Sequence, residues 1–260
     1  MQNFKLNEEF LLNNQDWTFP TFTAYGPGRF KEIGNFCKNF KINNALIVTD
    51  TGSVNLPFIS DLQNLLNDSK IKSDIYSNIS PNPRDDEIDS GCKKFREGNH
   101  DAIIAIGGGS AMDGGKAISL TVDSGVPLWD FEFEKEPPKL NMENPFPKII
   151  TIPTTAGTGA ETEVTAMVTH LEKGMKFCLW HPDARPCLAL IDPELTLKLP
   201  ANLTAWTGID AMIHAIEGYS VPMFHPLCDG SALESLNIIS KSLYAAVEEP
   251  DNLLARGGMI

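Results

Sequence analysis

The sequence predicts a two-part protein: an α/β unit over residues 1–199, with a mostly parallel sheet covered on both faces by helices, and an all-helical unit over residues 200–260. Short, continuously apolar runs alternate with helical stretches through the first two-thirds of the chain, the pattern of strands buried on both faces. From Pro200 onward strand signals vanish, and Ala- and Leu-rich helical sequence runs to Ile260. A third observation concerns ligands. Sheets of this kind bind them at the carboxyl ends of their strands, and the loops at two such ends are rich in glycine and hydroxyl side chains.

In chain order, Ala45–Thr49 reads as a buried strand and Phe58–Leu66 as a helix with apolar spacing. Ile71–Tyr76 reads as a strand, Asp85–Glu97 as a helix, Ala102–Ile106 as a strand and Ala111–Val122 as a helix. Trp129–Pro147, rich in proline and charge, interrupts the alternation and reads as a surface excursion. Ile149–Ile152 is a strand, Val164–Trp180 a β-hairpin turning at Glu172-Lys173-Gly174, and Cys187–Ile191 a further strand. Asn202 and Thr204 are helix-start candidates for the segment that follows. No internal repeat, heptad run or low-complexity tract is present.

At 260 residues the chain can bury a sizeable core. With 42% hydrophobic and 21% charged residues it has the composition of a soluble globular protein. The net charge of −13, with no cluster of Lys and Arg, argues against a nucleic-acid or anionic-membrane surface. No apolar run approaches the roughly 18 residues of a membrane span. The N-terminal stretch carries acidic residues where a signal peptide would be basic. Five widely spaced cysteines (Cys37, Cys92, Cys178, Cys187 and Cys228), an odd number without a Cys-x-x-Cys pair, suit reduced thiols. A cytoplasmic location follows as the expectation.

Gly107-Gly108-Gly109-Ser110 follows a buried strand and opens a helix. Consecutive glycines let backbone N–H groups approach an anion, and the helix N-terminus adds a favourable dipole. Ser110 and Asp113 are candidate caps for that helix. A tight strand-to-helix turn without a ligand reads equally well. Pro153-Thr154-Thr155-Ala156-Gly157-Thr158-Gly159-Ala160-Glu161 follows a second strand and offers hydroxyls and close backbone approach, suited to phosphate or ribose oxygens. Alone it reads as a hydroxyl-capped helix start; two such loops at strand ends of one sheet favour a dinucleotide. Asp50 closes the first strand, where a carboxylate accepts ribose hydroxyls and repels a 2′-phosphate, favouring NAD over NADP. A turn aspartate before Thr51-Gly52 is the competing reading. Asn82 sits between two prolines, and Lys176 by itself reads as a solvated lysine. Asp210 and His214, four apart on a helix, project from one face and can reach one divalent cation. Capping, pairing or solvent exposure is the commoner fate of such a pair.

Three segments together, Gly-Gly-Gly-Ser-x-x-Asp-x-x-Lys at 107–116, Pro-Thr-Thr-Ala-Gly-Thr-Gly-Ala-Glu at 153–161 and Thr-Gly-Ile-Asp-Ala-Met-Ile-His-Ala-Ile-Glu-Gly-Tyr at 207–219, resemble the iron-containing (group III) alcohol dehydrogenases. That family includes lactaldehyde reductases, 1,3-propanediol dehydrogenases and butanol dehydrogenases. The likeness runs from about Trp17 to the end of the chain.

The resemblance implies a dehydroquinate synthase-like fold with an α/β N-terminal dinucleotide-binding domain, an all-helical C-terminal domain and the active site between them. It implies an NAD site at Asp50, Asn82, Gly108, Gly109, Ser110, Asp113, Thr154, Thr155, Thr158 and Lys176. Asp210 and His214 would be two of four protein ligands to a catalytic metal, Fe²⁺ in most members and Zn²⁺ in some. The partners implied are a small alcohol or aldehyde and, at full length, further copies of the chain. The family's other two ligands are histidines in a downstream segment that this chain does not reach before Ile260, so a truncated chain is expected. Only His225 follows His214, and its pairing with Asp229 is undercut by Pro226, which favours a helix start or loop. His100, His170 and His181 are expected at the surface. Two other classes compete: a non-catalytic nucleotide-binding fragment, and a lyase of the dehydroquinate synthase type, which the Asp210/His214 spacing disfavours.

Overall fold

The computed structural model describes residues 21–140 and 146–260. Expectations for the N-terminal stretch, Trp17 and part of Trp129–Pro147 lie outside the described residues. The elements in chain order are β1 (Thr23–Tyr25), α1 (Ile33–Asn39), β2 (Asn44–Asp50), α2 (Pro57–Asp68), β3 (Lys72–Ile79), α3 (Asp85–Glu97), β4 (Ala102–Gly107), α4 (Gly109–Val122), β5 (Lys148–Pro153), β6 (Thr165–His170), β7 (Met175–Trp180), β8 (Leu188–Ile191), α5 (Ala201–Ser220), α6 (Pro226–Glu248) and α7 (Leu253–Met259).

Six strands form one parallel sheet in the order β1-β8-β5-β4-β2-β3. Its strands alternate between two cores, which is why they read as unbroken apolar runs. Leu46, Val48, Ile103, Ala105 and Ile149 face α3 and α4, packing with Ile88, Cys92, Met112 and Ile118. Ala45, Ile47, Ile104, Ile106 and Ile150 face the opposite side with Ile33, Ile59, Leu62 and Leu66 of α1 and α2. Local chemistry agrees with these elements. Pro57 opens α2, where a missing N–H costs nothing. Three acidic residues, Asp85 to Glu87, stand in the first turn of α3, and Glu87 Oε2 accepts the Arg84 N–H at 3.1 Å.

Several expectations change. β1 and α1 carried too little periodicity to be read from sequence, one being three residues long and the other seven. Leu128 and Phe131 are buried in the core, so the segment from Trp129 is anchored by apolar contacts and is no free surface excursion. The 153–161 loop runs into β6 and starts no helix. Gly108 is the N-cap of α4 with no side-chain cap, so neither Ser110 nor Asp113 caps it; both lie within the helix. α5 likewise begins at Ala201 after Pro200, leaving Asn202 and Thr204 inside its first turn. The hairpin β6–β7 forms as expected, with Gly174 at φ 62° in its turn. All five cysteines are free thiols, and burial pushes Cys37 and Cys92 up to about 12.

Candidate functional site

Chain connections leave β2 toward β3 and return on its other side to β4, so the crevice at the carboxyl ends of β2 and β4 is the switch point of the sheet. Asp50 closes one of these strands and Gly107 the other. A cleft of about 640 Å³ opens there, lined by Asp50, Gly108, Gly109, Ser110, Thr154 and Thr155. Its far wall is the apolar stretch of Leu195, Leu199, Pro200 and Leu203.

Register brings the two loops together. Gly107 stands opposite Pro153 in the β4–β5 pair, and the Thr154 N–H donates to Gly107 O at 2.9 Å. Gly107 has φ 143°, and a Cβ there would lie 2.8 Å from Ala111 Cβ and 2.9 Å from Asp50 Oδ2, so only glycine closes this corner. At the start of α4 the Ala111 and Met112 N–H groups donate to Gly108 O, which leaves the Gly109 and Ser110 N–H groups, on residues that line the cleft, without an intrahelical acceptor.

Asp50 forms the turn that its sequence context allowed. Its Oδ1 accepts the Gly52 and Ser53 N–H groups at 2.9 Å each, and Oδ2 accepts Ser53 Oγ–H at 2.8 Å. A carboxylate offers about four lone-pair sites, so one acceptor position on Oδ2 remains for a ligand hydroxyl, on a carboxylate held rigid by the turn. Asn82, at φ 63°, accepts Lys176 Nζ–H on Oδ1 at 3.0 Å and donates its backbone N–H to Ser110 Oγ at 3.4 Å. The Thr169 N–H donates to Pro83 O at 2.7 Å, so the β6–β7 hairpin docks on this loop and delivers Lys176, which is exposed but bonded. A Cβ on Gly109 would lie 3.1 Å from Thr158 Oγ1, placing that threonine over the helix start. Of the ten residues expected at the dinucleotide, Asp50, Gly108, Gly109, Ser110, Thr154 and Thr155 line the cleft, Asn82 bonds to Ser110, Lys176 bonds to Asn82 and Thr158 lies against Gly109, while Asp113 does not line it. Asp113 is buried beneath, with its carboxyl pushed up to about 6, chiefly by burial and against the pull of Lys116.

Asp210 and His214 stand on α5 with their side chains half exposed, and His214 Nε2 lies 3.7 Å from Asp210 Oδ1. The first part of this helix is held against the 153–161 loop at Gly157, where a Cβ would lie only 2.9 Å from Thr207 O. Imidazole nitrogen with carboxylate oxygen is a donor set that suits Fe²⁺ or Zn²⁺. It fits as half of a site: among the described residues no group of three or more His, Cys, Asp or Glu stands together. His225 caps α6, its Nδ1 accepting the Cys228 N–H at 3.1 Å, and it does not join Asp210 and His214 in a group of three donors among the described residues. The other histidines are not surface groups. His100 packs against Phe95 and Asn44, His170 stacks on Trp129 at 4.4 Å, and His181 meets Pro138 O at 3.1 Å; adjacent aromatic side chains cover them.

Sequence reasoning gave Lys116 no role beyond its place in the 107–116 motif and did not set Gly157 against a helix. Lys116 is 1% exposed and donates to Ala160 O at 2.8 Å, tying α4 to the far end of the threonine loop. Its placement three residues after Asp113 was the available signal.

Among the described residues no helix is long and apolar enough to cross a membrane. The family model for iron-containing alcohol dehydrogenase matches residues 20–193, and that for the C-terminal part of the Fe-containing alcohol dehydrogenase family matches 204–260. Alcohol dehydrogenase 4 of Saccharomyces cerevisiae is 32% identical over 240 residues, covering 92% of this chain and 62% of that relative's length. A crystal structure of 1,3-propanediol oxidoreductase superposes with TM-score 0.89 at 31% identity, covering 95% of this chain and 63% of that one. Sulfoacetaldehyde reductase of Bifidobacterium kashiwanohense, solved in complex with NAD⁺, gives TM-score 0.85 at 31% identity, with 95% of this chain and 64% of that one covered.

Proposed function

The chain belongs to the iron-containing alcohol dehydrogenase family, and on that premise we propose that it is the dinucleotide-binding part, with the first helices of the metal-binding part, of an NAD(H)-linked alcohol dehydrogenase. The whole protein interconverts a small primary alcohol or diol and its aldehyde. The division between the two parts falls near residue 200, giving 1–199 and 200–260. The observation that carries the reading is the meeting of the 107–110 and 153–161 loops around one cleft, with Asp50 at its rim and α5 packed on the second loop at Gly157.

In this reading the N-terminal N–H groups of α4 donate to the pyrophosphate, and the threonine hydroxyls of 154, 155 and 158 add donors beside them. Asp50 accepts ribose hydroxyls and repels a 2′-phosphate. Lys176, held by Asn82, adds the positive charge on the hairpin side. Asp210 and His214 hold the metal from one helix face. When bound, the dinucleotide supplies hydride transfer and Fe²⁺ or Zn²⁺ supplies Lewis-acid polarisation of the substrate oxygen. The Gly157–Thr207 contact fixes the metal-binding face relative to the loop that carries the dinucleotide. A cytoplasmic enzyme that assembles as a homo-oligomer completes the proposal.

Calorimetric titration of the 260-residue chain tests it. NADH binds in one site more tightly than NADPH; NADPH binding at least as well would remove Asp50 from the ribose and with it the NAD assignment. The donor count favours a second reading for the polypeptide as it stands, dinucleotide binding without turnover.

A further inference from the structure

We infer that Lys116 is a positioning residue of the dinucleotide site: its ammonium, buried beneath both loops, fixes the threonine loop to α4 and is the counter-charge of Asp113. The inference rests on the dinucleotide reading of the cleft. A lysine with 1% of its surface exposed is costly to bury unless its charge is compensated and its donors are used. Here Nζ donates to Ala160 O at 2.8 Å and lies 3.5 Å from Asp113 Oδ1 and 3.9 Å from Glu163 Oε1. One end of this arrangement is the loop of Thr154, Thr155 and Thr158; the other is α4, whose first turn lines the cleft. The loop is also held by Thr151 Oγ1–H to Glu161 O at 2.7 Å and, at its start, by the Thr154 N–H to Gly107 O. Without Lys116, Ala160 O is left in the interior without that donor.

The electrostatic role follows from what surrounds Asp113. Lys116 stands on its own helix, Glu163 on the loop before β6, and Lys176 and Cys178 on β7; Glu161 lies beside Lys116. Burial raises the Asp113 carboxyl to about 6, and the largest opposing influence is Lys116, with Glu163 raising it further. The Asp113 carboxylate lies below the cleft with 12% of its side chain still exposed; ionised it only accepts hydrogen bonds, which suits an amide or hydroxyl donor of a dinucleotide reaching it from above, and protonated it loses an acceptor. The chain therefore binds NADH at constant affinity above neutrality and more weakly as pH falls through about 6. Removing the adjacent cation leaves burial opposed mainly by Lys176, and the step moves upward.

The test is NADH affinity, read by fluorescence titration from about pH 5 to 9, for the wild-type chain, Lys116→Met, Lys116→Arg and Asp113→Asn. In Lys116→Met the step rises by about one pH unit, giving a loss of about twofold at neutrality that grows toward about tenfold near pH 5 and vanishes at alkaline pH, the scale expected for losing an opposite charge within hydrogen-bonding reach. Lys116→Arg keeps the wild-type step, and Asp113→Asn abolishes it. A pH-independent loss in Lys116→Met, with the step unmoved, would mean that Lys116 only holds the fold and would overturn the inference. Should Lys116→Met not fold, Asp113→Asn decides alone: a step that persists there is not Asp113's, and the inference falls. Wild-type chain that fails to bind NADH at any pH would remove the dinucleotide reading itself, a separate and recognisable outcome.

Discussion

Replacing Gly157 by alanine probes the contact that joins the 153–161 loop to the helix of Asp210 and His214. The new Cβ would sit 2.9 Å from Thr207 O and 3.0 Å from Thr207 Cβ. The first of these is backbone, which cannot rotate away as a side-chain end can. Loop and α5 must separate by about 0.5 Å to restore ordinary van der Waals contact. Overpacking against a fixed neighbour costs about 2–3 kcal/mol, and the reduced freedom of the unfolded chain returns about 0.4–1 kcal/mol. The net destabilisation is about 1–2.6 kcal/mol, a fall in Tm of about 2–10 °C for a chain of this size. Gly230→Ala is the control. It lies exposed within α6 with nothing within 4 Å of its added Cβ, and it gains about 0.8–1 kcal/mol of helix propensity, so its Tm rises. Scanning calorimetry of the two variants gives shifts of opposite sign. A Gly157→Ala chain as stable as wild type would refute the claim that this approach is sterically fixed.

Asp50→Gly removes the charge at the end of β2 and relaxes the preference for NADH over NADPH, measured as the ratio of the two dissociation constants; an unchanged ratio means that the preference lies elsewhere. Burial holds the His100 imidazole below its usual value, so the unfolded chain takes up the proton first. Stability therefore falls as pH drops below about 6.5 and levels off once the folded form is also protonated. Urea titrations of wild type and His100→Gln, compared across this range, show a smaller fall in the variant, and equal falls would exclude His100. Asp113 works in the opposite direction within the same window, which is why the difference between the two chains is the quantity to read. With two donors on α5, the purified 260-residue chain retains no stoichiometric iron or zinc by elemental analysis and oxidises no small alcohol at a measurable rate. Stoichiometric metal with turnover lost in His214→Ala would show that another donor completes the site.

Long apolar strands and the helix α3 were legible because each obeys one strong local rule: β2 and β4 are unbroken aliphatic runs, and α3 opens on three acidic residues. The site loops were legible because backbone access to an anion demands glycine and hydroxyl residues in sequence order. What stayed hidden depends on tertiary packing. Pattern alone did not place Phe131 in the core or bring aromatic cover to His170 and His181. The role of Lys116 needed Ala160, distant in sequence, to be seen above it. The start of α5 was misjudged because hydroxyl residues are common caps, whereas here Thr204 bonds back to Pro200 O at 3.1 Å and accepts Arg256 Nη1–H at 2.7 Å.

Amide hydrogen exchange of the 260-residue chain with and without NADH tests the placement of the dinucleotide most directly. Protection is expected at residues 50–54, 107–113 and 153–161, the three segments that meet at the carboxyl ends of β2, β4 and β5, with α6 unchanged. Protection confined to the groove between α5, α6 and α7, with the glycine and threonine loops exchanging as in the free chain, would contradict the account.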